Sequence, residues 1–326
     1  MSLINQLNAT TQVKWLQTTP VDILHTASAL VWRLMGNAVK KDNWTVQPSE
    51  TVDGGKMVMC PIEYASSNSG TYGASTIIDV DKVDIIDAAR FGWKGVYGSN
   101  TRNLDDITEN AGDAAIIRLS HQYVESIKKS ARLKMAADVV AASGSDPYHM
   151  NGLGDLFNTT TSTEYGSIAE DNMATWKANV ITDAEVISFQ TMQKIFRQVD
   201  MGDYAGALPN FCVTSKELVD GLERSLQPQQ WHKDKNMVEA GWDHIYHKGA
   251  PVVSDKAYSG TTILDALNLE YLSLRAHSQY NFTTPVWKAI SVQQPDTITA
   301  NSRFRGNLYC YSRRMHVRHA NITPPT

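Results

Sequence analysis

The sequence has few cysteines, and no two of them are near neighbours. Cys60, Cys212 and Cys310 are the only three in 326 residues, so the CxxC spacing of metal and redox sites is absent. An odd, sparse set of cysteines also argues against a disulfide framework. These absences favour a chain that folds in a reducing compartment, here a cytoplasm.

Long apolar runs are absent as well. No run approaches the ~20 apolar residues that a bilayer-spanning helix needs, and no membrane partner is expected. The opening residues MSLINQLNATTQVKW lack the charged-then-apolar layout of a secretory signal. The formal net charge is -4, which excludes a strongly basic nucleic-acid-binding domain but leaves room for a local basic face.

Known catalytic and cofactor motifs are also missing. The sequence contains neither GxSxG nor HExxH. The GGK at 54–56 is followed by Met57, where a phosphate loop needs Ser or Thr, and the GLG at 152–154 is followed by Phe157 in place of the third glycine of a dinucleotide loop. Both glycine pairs are therefore interpreted as turns.

Two pairs of histidines stand three residues apart in strand-like segments. They are His244 with His247, and His316 with His319. Residues i and i+3 of a strand point to opposite faces, so neither pair can readily chelate one metal ion. Together with the missing motifs, this predicts no catalytic, metal or cofactor site, and no enzyme.

The first part of the chain predicts an arm followed by a helix. Residues 1–19 are polar and rich in Thr and Gln, with isolated apolar anchors of which Trp15 is the largest. From Pro20 to Ala38, apolar residues recur every three or four positions, which is the spacing of a helix with one buried face.

An extended hairpin is predicted next. Residues 56–64 and roughly 82–97 favour β-structure, and the flexible segment 65–75 separates them. Two strands cannot bury a face in water, so the hairpin must lie on something. Tyr64 and Tyr72 are candidates for that contact.

Acidic residues concentrate on and after this hairpin, at Asp79, Asp81, Asp84, Asp87, Asp105 and Asp106. Three interpretations are open: a paired-acid catalytic site, solvated surface charges, or contacts with basic groups of a neighbouring copy. The third is favoured for Asp79 and Asp81, together with Trp15, Tyr64 and Tyr72.

A long helix is the clearest element of the pattern. Residues 110–142 contain no proline, and Ile117, Val124, Ala131, Met135 and Val139 mark one buried stripe. At ~1.5 Å per residue, such a helix is about 45 Å long, which suits a spine across a flat molecule.

The remaining chain mixes helices and strands, so the predicted class is α+β. Helices are expected near 184–198 and at 216–226, and a buried strand at 208–213. Further strand-like segments are 242–246, 251–254, 266–274, 287–292 and 307–317.

Basic residues cluster twice. Lys128, Lys129 and Arg132 lie on the long helix, near Arg118 and Lys134, and a second set is near the C-terminus: Arg303, Arg305, Arg313, Arg314 and Arg318. Sequence-independent phosphate contact and salt bridges between subunits are equally open. The first three are the candidate DNA-facing residues.

Several strings in a fixed order resemble the major capsid proteins of tailed bacteriophages. They are NGLGDLFNTTTSTEYG (151–166), VTSKELVDGLERSLQPQQ (213–230), KGAPVVSD (248–255) and GNLYCYSRRMH (306–316), with the long helix after NLDDITENAG (103–112). The resemblance covers roughly residues 50–320.

The resemblance implies the HK97-type capsid fold. Its parts would be an N-terminal arm at 1–44, an E-loop hairpin at 45–104, a P-domain at 105–205 with the spine helix at 110–142, and an A-domain at 206–288. The C-terminal strands at 289–326 would rejoin the P-domain. With about 44 residues before the hairpin, a scaffolding protein would be a separate partner.

The implied function is that of a shell subunit in the virion, assembled in the host cytoplasm. Copies would form pentamers and hexamers that close into an icosahedral shell around double-stranded DNA, with portal, scaffolding and decoration proteins as partners. An encapsulin-type shell around protein cargo, and a soluble enzyme with an unrecognised site, are the alternatives.

Overall fold

The computed structural model of the chain describes residues 28–35, 51–103, 119–144, 146–199, 208–226, 244–283, 285–291 and 294–325. The helices of these parts are α1 (Ala29–Leu34), α2 (Leu119–Val140), α3 (Leu153–Leu156), α4 (Phe189–Val199) and α5 (Lys216–Leu226). The strands are β1 (Thr51–Val52), β2 (Met57–Glu63), β3 (Ile86–Gly92), β4 (Lys94–Asn103), β5 (Asn179–Ile181), β6 (Glu185–Val186), β7 (Phe211–Thr214), β8 (His244–His247), β9 (Ala250–Ser254), β10 (Leu264–Leu267), β11 (Leu272–His277), β12 (Lys288–Ser291), β13 (Gln294–Cys310), β14 (Val317–His319) and β15 (Ile322–Thr323).

The long strand β13 organises the larger sheet. It pairs antiparallel with β11, β12 and β4, and β1 adds to the far side of β11 in parallel. The pairing with β4 runs from Thr297 opposite Asn103 to Gly306 opposite Lys94. A strand of 17 residues can therefore join elements from both ends of the sequence in one sheet.

Helix α2 packs on one face of this sheet, against β4 and β13. Ala131, Met135 and Val139 are buried, which confirms this part of the predicted stripe. Val124 is half-buried, and Ile127 is buried beside them. The contact is close because Gly98 faces the helix backbone: a Cβ at this position would lie 2.3 Å from the carbonyl oxygen of Ile127. Residues 110–118 of the predicted helix lie outside the described residues.

A second close approach explains the glycines at 152 and 154. The turn into α3 crosses the end of α2, and a Cβ on Gly152 would lie 2.0 Å from the carbonyl oxygen of Ala141. The carboxylate of Asp155 accepts hydrogen bonds from the backbone N–H groups of Ser143 and Gly152. This segment is therefore a packing joint between two helices.

A six-stranded sheet, in the order β5-β14-β10-β7-β9-β8, carries the second hydrophobic core. Helices α4 and α5 contribute apolar side chains to its core, among them Ile195, Phe196 and Leu222. Strand β14 reaches this sheet from the C-terminal end of the chain and pairs with β10 and β5. The helix at 216–226 is confirmed.

Helix α1 is held to the body at its first turn. The Ser28 hydroxyl donates to Asp255 at 2.6 Å, and the backbone N–H of Leu30 donates to the same carboxylate oxygen at 3.1 Å. All but one of the six α1 residues are buried. The predicted helix from Pro20 to Ala38 is confirmed over 29–34, and its remainder lies mostly outside the described residues.

Three predicted elements have other bounds in the structure, because the local sequence pattern did not show where each element begins or ends. The strand expected at 82–97 is two strands that separate at Trp93, and β4 belongs to another sheet. The segment 266–274 is also two strands, β10 and β11, which lie in different sheets. The predicted helix at 184–198 begins at Phe189, because the Ser188 hydroxyl accepts the N–H of Thr191 and caps it there.

The predicted strand at 307–317 also differs. It comprises the end of β13, a 3-10 turn at Arg313–Met315, and the start of β14. The turn moves the chain from the five-stranded sheet to the six-stranded sheet. The polar residues Ser312, Arg313 and Arg314 mark this turn in the sequence, and the prediction of one continuous strand overlooked them.

We predict that Gly98→Ala destabilises the protein by about 1–3 kcal/mol, because the added methyl group forces the helix backbone away from the sheet. Urea unfolding of the protein, followed by circular dichroism, measures the change. Gly95→Ala is the matched control on the opposite face of β4, where the nearest atom to the new Cβ is 3.8 Å away. Equal stability of the two variants would contradict the close approach as the constraint.

Candidate intersubunit surface

The base of the β2–β3 hairpin is fixed to the body. Cys60, Ala89 and Phe91 are buried, and the ring of Phe91 meets the rings of Tyr165 and Tyr309 edge-on, with centroids 5.3 Å apart in both cases. The backbone N–H of Arg90 donates to the carbonyl oxygen of Gly166 at 2.8 Å. The lower part of the hairpin is thus a component of the main core.

The tip of the hairpin contacts almost nothing else. The segment 64–85 connects β2 to β3, and within it Ile77 is 95% exposed and Val80 is 88% exposed. Ile78 is exposed too. Exposed aliphatic side chains that are close together on a protein surface mark an interaction surface. The hairpin is therefore fixed to the body at its base and exposes apolar side chains at its tip.

Local hydrogen bonds shape the tip from within. The Asn68 side-chain amide donates to the carbonyl oxygen of Asp81 at 2.9 Å, and the N–H of Asp81 donates to the Asp79 carboxylate at 3.0 Å. Gly73 and Thr76 close a small turn by hydrogen bonds in both directions. These contacts give the tip a defined shape without burying its apolar side chains.

The predicted contact residues take different positions on this hairpin. Tyr72 is 81% exposed, and Asp79 and Asp81 are exposed beside the apolar tip residues. Tyr64 is half-buried at the hairpin base, where it packs against the main core, and its N–H donates to Ile85. Trp15 lies outside the described residues. A contact with another copy stays a prediction for all five.

The basic residues predicted to face DNA are half-buried on α2. Lys128 pairs with Glu125 at 3.3 Å, one helical turn earlier. Burial lowers the pKa of the Arg132 guanidinium, and the negative charge of Glu125 opposes that shift. Because Glu125 offsets part of the positive charge, the electrostatic attraction of this face for phosphate is weaker than three cations would give. DNA contact by Lys128, Lys129 and Arg132 stays a prediction.

The C-terminal basic cluster divides into buried and exposed members. The Arg313 guanidinium pairs with Glu170 at 3.1 Å and donates to the carbonyl oxygens of Leu156, Trp176 and Asn158. Arg318 makes two hydrogen bonds of 2.7 Å to the buried Asp265.

The interpretation of these two arginines as phosphate or intersubunit contacts was wrong. Each guanidinium is held by a buried carboxylate of its own chain. Removal of one partner from such a buried pair costs about 3–5 kcal/mol, so both are structural. Arg303 and Arg305 remain exposed.

Three histidines that the sequence singled out are buried core residues. Burial lowers the pKa of His316 to about 3, and the ring accepts a hydrogen bond from the N–H of Asn268 at 3.1 Å. Burial also lowers the pKa of His319, against the opposing charge of Glu185. For His247, burial and then the charge of Lys248 lower the pKa to about 4.

The thiols are buried as well. Burial raises the pKa of Cys60 to about 11, and it raises the pKa values of Cys212 and Cys310 further. All three are free thiols, and a protonated, buried thiol is a poor nucleophile. Within the described ranges, no three His, Cys, Asp or Glu side chains converge as a metal site requires, and no helix there is long and apolar enough to cross a membrane.

The chain is similar over nearly its whole length to solved shell proteins. The capsid asymmetric unit of cyanophage A-1(L) superposes with a TM-score of 0.71 at 15% identity, covering 98% of this chain and 99% of that one. The capsid of a native GTA particle gives 0.59 at 10% identity, with 95% of each chain covered. The SrpI encapsulin from Synechococcus elongatus gives 0.59 at 9% identity, with 98% and 96% covered.

The chain has the HK97-type capsid fold. The α+β class and the fold expected from the resemblance are thereby confirmed. No protein-family model matches the sequence, and no curated protein matches it. The identities are too low to carry residue roles from one protein to another, so the roles of individual side chains depend on this chain's own geometry.

We predict that His247→Leu makes the subunit less sensitive to acid. The folded-state pKa of His247 lies below its unfolded value of ~6.5, so the unfolded chain binds more protons and stability is lost as pH falls from about 6.5 towards 4. Between pH 6.5 and 5 the variant should lose about 1–2 kcal/mol less than the parent chain. Urea unfolding at both pH values measures this difference.

Phe189→Leu is the control for this experiment. It removes one of the two rings that meet His247 at 5.0 Å and keeps the imidazole, so it should retain the parent pH dependence. If both variants retained it, the buried histidine would not be the source of acid sensitivity.

Proposed function

We propose that this chain is the major capsid protein of a tailed bacteriophage. In this proposal, copies associate into pentamers and hexamers, and these close into an icosahedral shell around double-stranded DNA. The protein is a structural subunit without a catalytic role. It resides in the virion, and its assembly takes place in the host cytoplasm.

One observation carries the proposal: a hairpin with a buried base and an exposed aliphatic tip projects from a chain with the fold of shell proteins. Ile77, Ile78 and Val80 contribute nothing to the stability of their own subunit while they face water. Burial of these side chains against a second copy stabilises the contact by ~25 cal/mol for each Å² of apolar surface. The hairpin is thus suited to join subunits.

A single contact of this kind is weak. At that coefficient, ~300 Å² of apolar surface contributes about 7 kcal/mol before the cost of association. The lost freedom of the two partners costs about 4–15 kcal/mol. One hairpin contact is therefore marginal, and many contacts around a closed shell make the assembly stable through avidity. Reversible assembly of this type allows misplaced subunits to leave.

The domain assignment is part of the proposal. The arm is placed at 1–44, the hairpin at 45–104, the P-domain at 105–205 and the A-domain at 206–288, with 289–326 returning to the P-domain. The second core also includes helix α4 and strand β14. We accordingly extend the proposed A-domain to these two elements.

The proposed partners are other copies of the chain, packaged double-stranded DNA, and portal and scaffolding proteins, with a decoration protein on the outside. The cyanophage capsid gives a TM-score of 0.71, whereas the GTA capsid and the encapsulin both give 0.59, so the likeness supports a shell role and the content of the particles separates the phage role from the encapsulin role. A soluble enzyme has less support, because the histidines and thiols with shifted pKa values described above are buried inside the cores.

We predict that Ile77→Asp combined with Val80→Asp leaves the subunit folded and prevents shell assembly. Both side chains are nearly fully exposed, so the unfolding free energy should change by no more than about 0.5 kcal/mol. Two carboxylates in place of the aliphatic side chains would remove the apolar burial at a subunit contact and would themselves have to lose water, which is costly. Negative-stain microscopy and gel filtration measure assembly, and urea unfolding measures stability.

Thr159→Asp combined with Thr161→Asp is the matched control, because it adds the same charge on an exposed loop. It should assemble normally. If the hairpin variant formed normal shells as well, the tip would not be a subunit contact.

A second prediction separates the phage role from the encapsulin role. Particles isolated from the natural source of the chain should contain genome-length double-stranded DNA that resists nuclease until the shell is opened. Agarose electrophoresis of the opened particles, with mass spectrometry of their proteins, measures the content. A protein cargo without such DNA would establish the encapsulin alternative, and a monomer at high concentration would reject both.

A further inference from the structure

An open groove lies on the face of the five-stranded sheet that α2 does not cover. Along β4, Gly98 faces the helix, whereas Tyr97 points to the opposite side and is 70% exposed. Tyr97 is paired with Arg303 on β13, and Gly95 with Arg305. Paired residues of antiparallel strands point to the same face, so a tyrosine and two arginines share the open face.

The groove has aromatic walls and a volume of about 850 Å³. Trp93, Tyr97 and Tyr148 line it, and Tyr148 is 79% exposed. Exposed aromatic side chains together with arginine are typical of the centre of a protein–protein interface. No function inside the subunit requires these tyrosines to face solvent.

The charge of the groove has one sign. Lys94, Arg303 and Arg305 line it, and the described part of its lining includes no carboxylate. The Arg303 side chain donates to Asn301 at 3.1 Å, and Lys94 donates to the carbonyl oxygen of Pro147. Among the side chains that the structure describes, none pairs with Arg303 or Arg305 as a salt bridge. The groove therefore favours an acidic occupant.

The chain's own hairpin tip cannot be that occupant. The hairpin leaves the groove at Trp93 and extends through the seven residues of β3, which is ~23 Å at ~3.3 Å per residue. The tip begins beyond this point. Its aliphatic side chains are exposed, so they do not touch the groove of the same subunit.

The tip has the complementary chemistry. Residues 77–87 contain four aspartates, Asp79, Asp81, Asp84 and Asp87, and a single lysine. The lysine, Lys82, pairs with Asp84 at 3.2 Å. Ile78 and Val80 alternate with Asp79 and Asp81, and Ile77 precedes them. An acidic, aliphatic segment therefore faces a basic, aromatic groove on the same molecular species.

We infer that the basic tyrosine groove binds the hairpin tip of a second copy, with Asp79 and Asp81 facing Arg303 and Arg305. The inference rests on the proposed function and specifies which surface receives the hairpin. Double-stranded DNA would also attract the arginines, but a duplex backbone gives the tyrosine walls no apolar partner. The hairpin tip offers aspartates to the arginines and aliphatic side chains to the tyrosine walls.

Charge exchange tests the inference. Arg303→Glu with Arg305→Glu, and separately Asp79→Lys with Asp81→Lys, should each lower the particle yield by about tenfold, because like charges then meet at the contact. The variant that combines all four substitutions should recover most of the parent yield. Yield is measured by sedimentation and negative-stain microscopy of the full chain.

A mismatched combination is the specificity control. Asp79→Lys and Asp81→Lys are combined with Arg197→Glu and Arg224→Glu, which reverse two exposed arginines on α4 and α5. The net charge equals that of the matched exchange, so recovery here would mean that only net charge matters and would overturn the inference. Circular dichroism and urea unfolding verify that each variant folds.

The other outcomes are equally decisive. Normal yield in either single reversal, or no recovery in the matched exchange, would overturn the pairing while the parent particles still support the proposed function. Normal yield with less DNA in the groove variant would assign the groove to nucleic acid instead. Absence of particles from the parent chain itself would reject the proposed function, and the inference with it.

Discussion

The unequal burial of the β2–β3 hairpin is the constraint on which the other features depend. Phe91 at its base lies between the rings of Tyr165 and Tyr309, and Ile77 at its tip is 95% exposed. Such a hairpin leaves apolar surface exposed after the chain has folded. Because the base is part of the core, the hairpin projects from a fixed point on the body of the protein.

Rigidity of that body comes from close backbone approach and from satisfied buried charges. At Gly98, helix α2 touches the sheet where no side chain fits between them. The buried Arg313 side chain pairs with Glu170 and donates hydrogen bonds to three backbone carbonyl groups. A charge with this many partners strongly limits alternative arrangements, because each alternative leaves a buried group unpaired.

Local patterns predicted the elements well and their partners poorly. The buried stripe of α2 and the bounds of α5 could be predicted because both signals lie within a few residues. The separation of β3 from β4 at Trp93, and of β10 from β11 near Asn268, could not be predicted, since Trp93 itself favours a strand and apolar and polar residues keep alternating through 267–271. For the candidate surface, Tyr72, Asp79 and Asp81 were recognisable as exposed hairpin residues. Arg313 and Arg318 were misjudged because pairing with Glu170 and Asp265 spans 143 and 53 positions.

The sequence by itself determined the α+β class, the long helix and a hairpin too small to bury its own face, because periodicity and turn chemistry act over short distances. It also determined the resemblance to shell proteins, which the fold supports. Only the tertiary structure decided which charged side chains are buried and which are exposed, and which face of the larger sheet α2 leaves uncovered. The reason is physical: burial and ion pairing depend on residues that are distant in the chain, and β13 brings them together by pairing with strands from both ends of the sequence.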